Sequence, residues 1–113
     1  MMPISLPRRF SMVAAILLLF VASTARAAAP QPVTIRIDNF TFAPAELSVP
    51  AGTTVTWVNG DDIPHTVVAV DKSFRSKALD TGDGYSQTLS MPGTVDYFCG
   101  LHPHMTGRIT VTP

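Results

Sequence analysis

The stretch TVDYFCGLHPHMTGRITVT, Thr94 to Thr112, holds the chain's single cysteine and two of its three histidines. Apolar and polar residues alternate through TVDYFC, so a period of two sets Val95, Tyr97 and Cys99 on one face and Asp96 and Phe98 on the other. Asp96 belongs in water near mid-strand, which turns the Cys99 face inward. GRITVT, Gly107 to Thr112, repeats the alternation as a closing strand. Between the two runs, Cys99, His102 and Met105 form the spacing C-x2-H-x2-M. A connection that short folds the chain back over its own end and lets three side chains converge.

Working outward, the preceding sequence also reads as strands: VTIRID (Val33 to Asp38), ELSVP (Glu46 to Pro50), TVTWVN (Thr54 to Asn59), HTVVAVD (His65 to Asp71) and YSQTLSM (Tyr85 to Met91). Turn residues separate them at Ala51-Gly52, Asn59 to Asp62, Asp80 to Gly84 and Pro92-Gly93. Only Lys72 to Leu79 has the composition for a short helical turn. The pattern predicts an all-β fold, a Greek-key antiparallel β-sandwich of seven or eight strands.

The N-terminus has a different character. Arg8 and Arg9 precede the apolar run Val13 to Ala22, and Ala25-Arg26-Ala27 supplies small residues where signal peptidase reads. The run falls short of the roughly 18 to 20 apolar residues that a membrane span needs. Residues 1–27 are therefore expected to be a signal peptide for the general secretory route, with residues 28–113 exported to the periplasm and not inserted in the membrane. The exported part carries five basic and eight acidic side chains, a net charge of −3. It lacks the basic stripe that nucleic-acid binding requires.

A lone cysteine in an exported chain needs an explanation. Small exported domains usually add disulfides or a metal to a thin core, and one cysteine leaves only the metal within a single chain. Thiolate, imidazole and thioether are donors that select copper over magnesium or calcium. The one histidine outside the loop, His65, can complete a His2Cys plane. Taken singly, His65 is an ordinary strand-edge histidine, Met105 is core filler and His102 is a solvated loop residue. Their coincidence in an exported, strand-rich chain points to copper. Zinc prefers four firm ligands, which Met105 does not offer. Haem-attachment, HExxH and GxSxG signatures are absent, so no enzyme is expected.

At these residues the chain resembles the cupredoxins, the blue type 1 copper proteins, with the amicyanins nearest and the plastocyanins and pseudoazurins further off. The resemblance lies in PHTVV around His65, WVN before it, PGTVDYFCGLHPHM and TGRITV, with the amicyanin-like short C-x2-H-x2-M loop. It implies a copper ligand set of His65, Cys99, His102 and Met105. It also implies one type 1 copper ion and one-electron transfer between Cu(II) and Cu(I), with a cytochrome or dehydrogenase as redox partner. A monomer is expected. Two residues depart from the pattern. Thr66 stands where the family often has an asparagine that bonds across to the cysteine loop, and His104 stands where amicyanins have an aromatic residue. His104 is expected at the surface, not as a ligand.

Three further expectations follow. Ile63, Pro64, Met91, Pro92, Leu101 and Pro103 should surround the exposed edge of His102 as an apolar docking patch. The tripeptide Asn39-Phe40-Thr41 is a glycosylation sequon, set aside for a chain with a bacterial export signal. Copper carriage without electron transfer is the alternative function, and a metal-free interaction sandwich is a third.

Overall fold

The computed structural model describes residues 2–5, 15–19 and 29–113. The expected signal peptide, with Arg8, Arg9 and the Ala27 cleavage site, lies largely outside the described residues. Eight strands follow in order: β1 (Val33–Asp38), β2 (Thr41–Ala43), β3 (Glu46–Pro50), β4 (Thr53–Asn59), β5 (Val68–Ala69), β6 (Gly84–Leu89), β7 (Gly93–Cys99) and β8 (His102–Thr112). They form two four-stranded sheets, ordered β2-β1-β4-β6 and β3-β8-β7-β5. The all-β sandwich is as expected.

Strand β4 shows why the sheets pack. Thr53, Val55, Trp57 and Asn59 are buried, while the residues between them are half-exposed, so one face of the strand enters the core. Trp57 is fully buried and meets Tyr97 edge-on, with ring centroids 5.3 Å apart; Phe42 packs on the other side of Tyr97 at 4.8 Å. Truncating a buried aromatic of this kind costs about 3–5 kcal/mol. Ile35, Ile37, Ile109 and Val111 fill the space around these rings. Gly107 is obligatory here, because any side chain at that position would collide with the Tyr97 ring. On the outer face of the same sheet Asp96 pairs with Arg108 at 2.7 Å, so the face assignment of β7 holds.

Several details differ from the sequence expectation. The sheets are mixed: β1 and β4 run parallel, as do β3 and β8, whereas every other pairing is antiparallel. The chain leaves the first sheet through β3 before returning as β4, and such a crossover is what lets neighbouring strands run parallel. The run His65 to Asp71 contributes only the two-residue β5. The segment Lys72 to Leu79 is not helical; it lies back against residues 65–69. His65 and Leu79 exchange backbone hydrogen bonds, Phe74 O accepts from Ala69 N, and the Val67 amide donates to the Ser76 hydroxyl. A side chain substitutes for part of the ladder, so the β-branched run never becomes a regular strand. At the other end β8 begins five residues early, at His102, opposite Cys99.

Candidate metal centre

Strand β7 delivers Cys99 to one end of the sandwich, and a two-residue link, Gly100-Leu101, turns the chain into β8 at His102. Pairing jumps from Phe98↔Thr106 to Cys99↔His102, so Pro103, His104 and Met105 bulge from the ladder. Within the bulge Met105 is buried, while Pro103 and His104 are exposed. The expectation that His104 faces solvent agrees with this.

Cys99 and His65 are completely buried and His102 is half-exposed. The Nδ1 atoms of His65 and His102 each lie 3.7 Å from Cys99 Sγ. The ligand atoms of all three residues fall within 4.8 Å of one another. Taking zinc distances as a guide, about 2.0–2.1 Å to imidazole and 2.3 Å to thiolate, donors about 120° apart around one ion are separated by roughly 3.7 Å. The spacing therefore fits an ion bound between them. With a buried thioether on the next turn of chain, the donors are soft to intermediate and fit a single type 1 copper site.

The surroundings fix these donors. The Thr66 amide donates to Cys99 Sγ at 3.3 Å, and the Thr66 hydroxyl accepts the Gly100 amide at 2.7 Å. Threonine thus makes the bond across to the cysteine loop that the family's asparagine would make. Gly100 suits this approach, since a Cβ there would lie 3.1 Å from Thr66 Oγ1. Buried Asn59 organises the segment leading to His65. Its amide donates to Ile63 O and Leu79 O, both at 2.8 Å, and its carbonyl accepts the Asp61 amide at 2.9 Å.

Two residues that the sequence reading passed over belong to the site. Asp61 Oδ2 lies 2.8 Å from His65 Nε2. Phe40 packs edge-on against both imidazoles, with centroids 5.5 Å from His65 and 5.0 Å from His102. Phe40 sits in the β1–β2 turn with φ 56°, following Asn39 at 49°. A left-handed conformation costs a non-glycine residue roughly 1–2 kcal/mol. Both turn amides donate to the Asp61 carboxylate, at 2.6 and 3.0 Å. The Phe40 amide above all holds that carboxyl below the usual carboxylate range, against the opposing effect of burial. In the sequence Asp61 reads only as turn chemistry and Asn39-Phe40-Thr41 only as a sequon. The one available signal was a two-residue loop joining alternating runs.

The docking patch needs correction. Phe40, Leu101 and Pro103 are exposed beside the half-exposed His102, and Pro64 is exposed next to His65 in the chain. Met91 and Pro92 are also exposed, but they precede Gly93 at the far end of β7. At about 3.3 Å per residue, that is roughly 20 Å from Cys99. Closeness in sequence had suggested closeness in space, and the full length of β7 intervenes.

Residues 11–111 match the family described as Cupredoxin-like domain. The chain is 34% identical over 84 residues to an amicyanin of Paracoccus versutus, covering 70% of this chain and 64% of that protein. To a plastocyanin of Scenedesmus fuscus it is 36% identical over 83 residues, covering 62% and 85%. Among solved structures, a purple cupredoxin from Nitrosopumilus maritimus superposes with a TM-score of 0.68 at 33% identity, covering 71% of this chain and 99% of that one. An amicyanin variant superposes with a TM-score of 0.69 at 30% identity, covering 78% and 87%. The match extends over nearly the whole chain and includes the strands that build the Cys99 hairpin, and on that ground the protein belongs to the cupredoxins.

Proposed function

We propose that this chain is a periplasmic one-electron carrier that holds one copper ion through His65, Cys99, His102 and Met105. The observation that carries the reading is the placement of two imidazole Nδ1 atoms at the same 3.7 Å from a buried Cys99 Sγ. When bound, copper supplies a reversible Cu(II)/Cu(I) couple. The protein's part is to keep the donors still. His65 and Cys99 are buried in a sandwich, and the Thr66 amide and Thr66–Gly100 bond brace the thiolate. Met105, buried at the bulge, would supply a thioether as the weaker fourth donor. His102 is half-exposed among Phe40, Leu101 and Pro103, and so offers its edge to a redox partner such as a cytochrome or dehydrogenase.

Export is part of the proposal, supported by Arg8, Arg9, the Val13 to Ala22 run and Ala25-Arg26-Ala27. The expected mature protein begins at Ala28 and works as a monomer. Voltammetry of the copper-loaded protein tests the carrier reading. A reversible one-electron wave, with copper retained through repeated cycles, supports it. Loss of copper to a metal-free acceptor on each reduction instead supports copper carriage.

A further inference from the structure

Asp61 lies outside the proposed donor set, yet its carboxylate ties the inner imidazole to a neighbouring turn. Oδ1 accepts the Asn39 amide at 2.6 Å, while Oδ2 accepts the Phe40 amide at 3.0 Å and faces His65 Nε2 at 2.8 Å. The Asp61 main chain is held as well. Its amide donates to Asn59 Oδ1 and its carbonyl accepts the Thr81 hydroxyl at 2.6 Å. An ionised carboxylate only accepts hydrogen bonds, so His65 Nε2 must carry the ring proton. Nδ1 then keeps its lone pair on the side of Cys99 Sγ.

We propose that Asp61 is a positioning residue for the copper site, fixing the Nε2–H tautomer of His65 and biasing the bound metal toward Cu(II). The proposal rests on the ligand reading above. A carboxylate that accepts the distal ring proton orients a ligand histidine and raises its basicity. A fixed negative charge 2.8 Å behind the buried ring favours the more positive oxidation state. The same two oxygens anchor the strained Asn39-Phe40 turn and so hold the Phe40 ring against both imidazoles. Asparagine cannot replace this arrangement. Three N–H donors converge on two carboxylate oxygens, and an amide would turn NH2 toward at least one of them.

The test uses the wild type, Asp61→Asn and Asp61→Glu, with Phe40→Ala to separate the effect of the turn from that of the charge. Nitrogen NMR of the metal-free proteins reports the His65 tautomer, and copper affinity and reduction potential are then measured. The wild type should show Nε2–H, and Asp61→Asn should lose it at least in part. Asp61→Asn should weaken copper binding by about 10–100-fold. It should also shift the Cu(II)/Cu(I) equilibrium about tenfold toward Cu(I), a rise of roughly 59 mV. Asp61→Glu should restore the potential toward wild type, and Phe40→Ala should leave the tautomer intact. An Nδ1–H tautomer in the metal-free wild type overturns the proposal without any variant. So does an Asp61→Asn protein with unchanged tautomer and potential. Failure of the wild type to bind copper would instead reject the ligand reading, and the metal-free tautomer still decides whether Asp61 positions His65.

Discussion

Thr66 engages the Cys99 loop through two different groups: its amide donates to Cys99 Sγ at 3.3 Å, and its hydroxyl accepts the Gly100 amide at 2.7 Å. The residue that follows the inner histidine therefore sets both the sulfur and the turn after it. Thr66→Val keeps the first bond and removes the second. It should cost about 1 kcal/mol in urea denaturation of the metal-free protein, and the blue band should shift without disappearing. Thr66→Ser should behave like wild type in both measurements. Equal stability of the valine and wild-type proteins would show that the Gly100 bond contributes nothing.

The two loop histidines should respond oppositely to truncation. His102 Nδ1 faces Cys99 Sγ, whereas His104 is exposed beyond Pro103. His102→Ala should open a coordination position that added imidazole can fill, with a changed visible spectrum. His104→Ala should retain full copper stoichiometry and the same band. The reverse pattern would move the ligand set two residues along.

Electron self-exchange between oxidised and reduced copies probes the docking face without any physiological partner. Leu101 is 52% exposed on the link between Cys99 and His102, while Met91 is 80% exposed at the opposite end of β7. Leu101→Asp should slow self-exchange, measured by NMR line broadening, by about tenfold or more through like-charge repulsion at the contact. Met91→Asp should change it little. Equal slowing by both would place electron exit elsewhere.

Tyr97 gives the fold an alkaline limit. Burial pushes its phenol from 10.0 up to about 12. The raised value means that the folded state prefers the protonated phenol. Its stabilising contribution is complete below pH 10 and is lost as pH rises from about 10 to 12, at up to roughly 1.4 kcal/mol per unit. Tyr85 is also raised by burial and adds a smaller share. The Tyr97 hydroxyl is buried without a hydrogen-bond partner among the described residues. Tyr97→Phe should therefore be close to wild type in stability at pH 7 and flatter between pH 10 and 12. Denaturation midpoints across that range provide the check.

What could be read from the sequence, and what could not, divides by the distance over which the causes act. The alternation in TVDYFC is a local consequence of one buried face, and it correctly placed Tyr97 and Cys99 inside. The sandwich and the convergence of Cys99 with His102 followed from spacing within a few residues. The mixed strand directions depend on which sheet β3 joins, which no local pattern encodes. Likewise the Ser76 hydroxyl that interrupts the His65 to Asp71 run is nine residues from its partner Val67. Asp61 and Phe40 escaped notice because they meet only when the β1–β2 turn packs against the segment after β4, 21 residues later. Met91 was misplaced for the opposite reason: near Cys99 in sequence, it is held away by an extended strand.

Cys99 as the thiolate of a type 1 copper site is decided by the visible spectrum of the protein with one equivalent of Cu(II). The wild type should bind copper stoichiometrically and show an intense blue thiolate-to-copper charge-transfer band, abolished in Cys99→Ser although that variant still folds as a sandwich. A colourless wild-type complex, or an equally intense band in Cys99→Ser, would contradict it.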